Sequence, residues 1–130
     1  MIEATLKIKN KRFKVDELVS FSLEISNIQD KTLKLFFPTS KIYDFTVYDE
    51  GGKEVYRWSG NKLFTQVVTR VILKPQEVKE FNLEWEQKVG FGDKAKPGKY
   101  QIIAEVGPFW LEDQRKKIII KTNPLEIEIT

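Results

Sequence analysis

Apolar and polar residues alternate with a period of two along most of this chain. In Leu18-Val19-Ser20-Phe21-Ser22-Leu23-Glu24-Ile25-Ser26, Phe21, Leu23 and Ile25 share one face and Ser20, Ser22, Glu24 and Ser26 the other. Phe81 to Glu86, Tyr100 to Val106 and Leu125 to Ile129 repeat the pattern. One buried face and one wet face is the mark of antiparallel strands. Less regular strands are predicted over 4–9, 32–37, 43–48, 54–58, 65–73 and 116–122. Asn27 to Lys31, Asp49-Glu50-Gly51-Gly52-Lys53, Lys74-Pro75-Gln76-Glu77 and Lys96-Pro97-Gly98-Lys99 supply the turns between strands. No window carries a sustained 3.6-residue period, although Glu84 to Lys88 has room for a single turn. About eight or nine short strands at this spacing predict an all-β fold, an immunoglobulin-like antiparallel β-sandwich, with a small barrel as the structural alternative. No repeat, low-complexity tract or long linker interrupts the chain, so residues 1–130 are expected to form a single domain.

Composition narrows the chemistry. The chain is 41% hydrophobic and 32% charged, with neither cysteine nor histidine. Disulfides, thiol nucleophiles, histidine bases and Cys/His zinc sites are therefore excluded. The net charge of +3 is spread evenly, with 11 basic and 9 acidic groups in residues 1–65 and 11 and 10 in residues 66–130. Bulk electrostatics thus give no reason to expect nucleic acid or a membrane as partner. Met1 to Lys7 lacks the basic and apolar regions of a signal peptide, and no segment approaches the ~20 apolar residues that span a bilayer. A cytoplasmic location is expected.

Of the five serines, Ser20, Ser22 and Ser26 lie on the polar face of one strand, and Ser40 and Ser59 in loops near Lys41 and Lys62. None stands in a nucleophile elbow, and an enzyme is not expected. Asp44, Asp49 and Glu50 match no calcium-loop spacing and suit turn chemistry better than a metal; neither metal nor cofactor is expected. The basic cluster Lys7, Lys9, Lys11, Arg12 and Lys14 fits an oligonucleotide-binding barrel less well than a solvated edge strand, since Lys7 and Lys9 alternate with Leu6 and Ile8. Arg115-Lys116-Lys117 forms a second cluster. Six aromatics crowd residues 43–64: Tyr43, Phe45, Tyr48, Tyr56, Trp58 and Phe64. Three or four of them are expected in the core. The run from Tyr56 through Ser59-Gly60-Asn61-Lys62 to Leu63-Phe64 reads equally as a binding loop and as a strand entering the core.

Residues 37–49, reading F-P-T-S-K-I-Y-D-F-T-V-Y-D, are followed by G-K-E-V-Y-R-W-S from Gly52 and K-L-F-T-Q from Lys62. With Leu73-Lys74-Pro75, Trp85 and Pro97-Gly98-Lys99-Tyr100, this order closely resembles the intracellular proteinase inhibitor family of BsuPI type over roughly residues 18–106. The resemblance implies an immunoglobulin-like sandwich and inhibition of an intracellular, subtilisin-type serine protease. An inhibitor of that kind offers an exposed loop on a rigid scaffold, with a large apolar anchor for the protease cleft. The candidate contact loops are Lys41-Ile42-Tyr43 and Ser59-Gly60-Asn61-Lys62-Leu63-Phe64, expected to lie close together because they flank a predicted hairpin. A third loop, Gly107 to Leu111, would offer Phe109 and Trp110. Two rivals remain: an interaction module of the same fold without inhibitory activity, and a ligand-binding module stacking on Tyr56, Trp58 or Trp110.

Overall fold

A computed structural model describes residues 2–130. Its strands are β1 (Ile2–Lys7), β2 (Arg12–Phe13), β3 (Val19–Asn27), β4 (Leu33–Phe37), β5 (Tyr43–Tyr48), β6 (Glu54–Arg57), β7 (Thr69–Leu73), β8 (Val78–Trp85), β9 (Lys88–Val89), β10 (Asp93–Lys94), β11 (Gly98–Leu111), β12 (Ile118–Lys121) and β13 (Leu125–Ile129). The fold is the all-β, immunoglobulin-like sandwich expected, with ten strands of four residues or more and three two-residue pieces, β2, β9 and β10, against the eight or nine predicted.

One layer is the antiparallel sheet β1-β3-β8. Val19, Phe21, Leu23 and Ile25 of β3 are buried and the residues between them are not, as the alternation dictates. The other layer is organised by β11. Its first half pairs with β13 on one side (Gly98↔Ile129 to Ile102↔Leu125) and with β5 on the other (Gln101↔Tyr48 to Val106↔Tyr43). β6 then extends the sheet beyond β5. The layers meet through aromatics: Phe21 stands edge-on to Phe45 at 5.1 Å, and Trp85 to Tyr100 at 5.5 Å. β1 is an edge strand, and Lys7 reaches across to Glu24 at 2.9 Å, which is the solvated-edge role. β1 itself begins at Ile2 and ends at Lys7, so Lys9 lies beyond it.

The expected loop Gly107 to Leu111 is instead the second half of β11. Gly-Pro reads locally as a turn, but here the strand bends and exchanges partners, pairing Trp110↔Phe36 and Leu111↔Leu35 with β4. Phe109 is fully buried against Phe37, at 5.6 Å, and Trp110 stacks on Phe36 at 5.8 Å. Neither ring is available as a loop anchor. The strand predicted over 65–73 also contracts to Thr69–Leu73, which leaves Thr65 to Val68 outside the ladder.

Gly107 sits at the bend with φ of 115°, and a Cβ there would lie 2.5 Å from the Ile118 carbonyl oxygen. Both the backbone conformation and the space require glycine. Gly107→Ala should therefore cost at least about 2 kcal/mol and lower the melting temperature by several degrees in a thermal unfolding scan. A melting temperature unchanged from the parent would contradict this account of the bend.

Candidate functional site

The two candidate loops leave the same end of the β5–β6 hairpin, and the residue that joins them is Asp44. A strand residue between Tyr43 and Phe45 points away from the core, yet Asp44 is completely buried. Its Oδ1 accepts hydrogen bonds from the backbone N–H of Phe45 (2.9 Å) and of Ser59 (3.1 Å). Its Oδ2 accepts the Ser59 hydroxyl and lies 3.2 Å from Lys41 Nζ and 3.6 Å from Arg57 Nη1. Two amides, a hydroxyl and two cations replace the water this carboxylate lost. The cations have a further task, because Glu105 stands directly opposite Asp44 in the ladder. The Arg57 guanidinium is held above its ordinary pKa, first by its hydrogen bond to Glu54 and then by the charges of Glu54, Asp44 and Glu105.

A second tie lies further along. Ser40 donates its N–H to the Thr65 carbonyl and its hydroxyl oxygen accepts the Thr65 N–H, each at 2.9 Å. The Pro38–Ile42 segment is itself fixed to β11, since Gly107 N–H donates to the Ile42 carbonyl at 2.9 Å. The segment between these ties opens as a single 3-10 turn, Trp58–Asn61, closed by the Lys62 N–H donating to Ser59.

Under this loop lies an aromatic layer. Tyr43 stacks on Trp58 at 5.0 Å and meets Phe81 at 5.2 Å, and Trp58 meets Phe64 at 5.8 Å. Lys62 Nζ sits 4.7 Å from the centre of the Trp58 ring. Of the six crowded aromatics only Phe45 is fully buried; the other five are half-buried, fewer in the core than expected. Tyr43, Trp58 and Phe64 form a shelf at the open end of the β5–β6 hairpin beside Phe81 of β8, with Tyr56 next to Trp85, while Tyr48 lies at the other end of β5. Burial pushes the Tyr43 and Tyr56 hydroxyls up, with the charges of Glu86 and Asp44 adding to the effect at Tyr56, so both phenols stay neutral.

The structure brings the sequence candidates together but sorts them. Lys41 is drawn onto Asp44, Ile42 and Tyr43 pack half-buried against the core, and Ser59 and Phe64 are tied to Asp44 and Trp58. Gly60, Asn61, Lys62 and Leu63 form the exposed stretch, and Leu63 is 101% exposed. Trp58 and Trp110 already stack on neighbouring rings. Asp49 works locally, its Oδ1 accepting the N–H groups of Gly51 and Lys53. Among the described residues no three His, Cys, Asp or Glu side chains converge as a metal site would need.

A family model described as BsuPI, intracellular proteinase inhibitor, matches residues 6–107, which include both loops, the aromatic shelf and Asp44. The chain belongs to this family. Proteinase inhibition is accordingly the role the site has to explain. No curated protein matches the sequence. Solved structures share the fold at low identity. A β-glucosidase from Listeria innocua in complex with glucose superposes with a TM-score of 0.57 at 13% identity, over 99% of this chain and 16% of that one. The alkylpurine DNA glycosylase AlkC of Pseudomonas fluorescens, bound to DNA containing an abasic site analogue, gives 0.56 at 10% identity, over 98% of this chain and 30% of that one. A CARDB domain from Pyrococcus furiosus in complex with di-metal ions gives 0.50 at 16% identity, over 99% and 89%. The chain thus spans less than a third of the glycosylase and the glucosidase, and these likenesses show the fold alone.

Read for local chemistry, Asp44 in the sequence suits a turn better than a metal, and nothing nearby points to a buried anchor. Its main partner, Ser59, is 15 residues away, a separation with no local signature. Asp44→Asn keeps the size but removes the charge that Lys41 and Arg57 answer. It should cost about 2–3 kcal/mol. It should also speed hydrogen exchange at the Ser59 amide more than at the Leu23 amide of the opposite sheet. Equal acceleration at both would show general destabilisation with no special hold on the loop.

Proposed function

We propose that the protein, with residues 1–130 acting as one unit, is a cytoplasmic, non-enzymatic inhibitor of an intracellular subtilisin-type serine protease. It acts by seating the Gly60–Leu63 stretch in the active-site cleft. The observation that carries this reading is a fully exposed leucine on a loop tied down at both ends, by Asp44 on one side and by Ser40 on the other. A serine protease binds its substrate as an extended strand and places one side chain in a primary pocket. Leu63 is the apolar side chain free to enter such a pocket, and burying it supplies about 1.5–3 kcal/mol. Asn61 and Lys62 approach on one side and Phe64 leaves on the other. Lys41, Ile42 and Tyr43 support the loop from below and border the contact.

The ties also account for why such a loop inhibits instead of being consumed. A flexible loop pays its ordering entropy on binding, and after cleavage its new ends diffuse apart. Here Ser59 stays hydrogen-bonded to Asp44 on one side of Leu63. Phe64 stays against Trp58 and Thr65 stays paired with Ser40 on the other. Should the Leu63–Phe64 bond be attacked, the leaving amine remains beside the acyl group and re-forms the peptide faster than water replaces it.

Titration against a subtilisin cleaving a short chromogenic peptide tests this reading. The parent protein should abolish cleavage stoichiometrically and be recovered intact. Leu63→Asp should weaken inhibition roughly 100-fold or more, with the melting temperature unchanged because Leu63 contacts nothing in the free protein. A Leu63→Asp variant as potent as the parent would place the contact elsewhere.

A further inference from the structure

The chain displays a second fully exposed large apolar residue: Phe91, at 111% exposure. It stands at the tip of the small β9–β10 hairpin, in Gly90-Phe91-Gly92, where both glycines have positive φ (56° and 124°). The tip is not loose. Gly90 N–H donates to the Val55 carbonyl of β6 at 2.8 Å, and Gly92 N–H to Val89 at 3.1 Å. The base is held from the interior. Buried Trp85 donates its indole N–H to the Lys88 carbonyl at 2.9 Å. The buried Gln87 side chain donates to the Lys14 and Glu17 carbonyls, both at 2.7 Å. A phenyl ring is thus held out in water on a preorganised support, the arrangement of an interface anchor.

Its position relates it to the loop already described. A groove of about 540 Å³ runs between the Phe91 tip and the Asn61–Lys62 side of the loop, floored by Tyr56, Trp58 and Trp85. Glu84, Glu86 and Lys88 form a charged margin. A stable protein–protein interface takes about 800 Å² from each partner, and a four-residue stretch supplies only part of that. A protease seated on Leu63 therefore spreads onto neighbouring surface, and on this side the groove and Phe91 come next.

We infer that Phe91 is a second anchor for the same subtilisin-type protease, gripping an apolar depression outside its catalytic cleft while the Gly60–Leu63 stretch fills the cleft. This rests on the inhibitor reading above. In the complex, the two apolar points bracket a polar margin, the pattern of anchors surrounded by weaker contacts. The second anchor lengthens residence on the protease, and it gives selectivity among proteases with similar clefts but different outer surfaces.

The test compares the parent, Phe91→Ser and Leu63→Asp as inhibitors of a subtilisin cleaving a short chromogenic peptide, with size-exclusion chromatography of each free protein. Phe91→Ser should melt with the parent and weaken inhibition roughly 10- to 100-fold, mainly through faster dissociation. If Phe91→Ser inhibits as well as the parent while Leu63→Asp does not, the second anchor is overturned and the loop reading stands. If Leu63→Asp inhibits fully and Phe91→Ser does not, the loop reading falls and the Phe91 contact stands. A parent that leaves the protease fully active overturns both. A dimeric parent made monomeric by Phe91→Ser would assign the ring to a second copy of the chain, against the proposal.

Discussion

A carboxylate sealed inside a β-sheet protein is a liability of several kcal/mol unless every lone pair is answered. At Asp44 they are answered by groups from the segments that need fixing: Lys41 from the loop before β5, Arg57 from the end of β6, and both the amide and the hydroxyl of Ser59 from the turn after it. Because the strand ladder fixes Asp44, the two loops inherit its position. The network is also coupled, since removing any one partner leaves the buried charge short of an answer. Part of the local stiffness at this end of the sandwich therefore comes from electrostatics.

Packing and electrostatics divide the labour at the loop. Phe64 packs on Trp58, Trp58 on Tyr43 and Tyr43 on Phe81, so the residues flanking the exposed stretch are held by contact. Ser40 and Thr65 close the far side with a pair of backbone-directed hydrogen bonds. Between these ties Gly60 to Leu63 face outward, with Lys62 bonded back to the Ser59 carbonyl and lying over the Trp58 ring. Four residues restrained on both sides lose little entropy when a partner orders them.

The fold was legible in the sequence wherever burial is one-sided. β3, β8 and β13 alternate cleanly because one face meets the core and the other meets water. Legibility failed where a residue's job is set by partners far along the chain. Gly107-Pro108 carries the local chemistry of a turn, yet here it bends a strand between two sheets, a role decided by β4 and β5. Asp44 sits in a polar slot of the strand pattern, and its burial depends on residues after the next hairpin. Phe91, a lone aromatic between glycines, belongs to no period at all. The two contact loops were placed together because the hairpin they flank was readable. Which of their residues face outward was not, since that depends on how Tyr43, Trp58 and Phe64 stack.

The same fold recurs within a DNA glycosylase and a β-glucosidase at 10–13% identity, so what this chain shares with them is the fold alone. What individualises this chain lies outside its strand alternation. Asp44 is a charged residue where the strand pattern alone asks only for a polar one, and Trp58 and Phe64 are large aromatics outside the ladder, set against the edge of the core. Leu63 and Phe91 are apolar residues left in water. Leu63 and Phe91 bury no apolar surface in the free protein and so add nothing to its stability, whereas Asp44 with its partners and the stacked rings of Trp58 and Phe64 hold the loop in place. On the inhibitor reading proposed above, Asp44, Trp58 and Phe64 make the loop rigid, and Leu63 and Phe91 are what the protein presents to its partner.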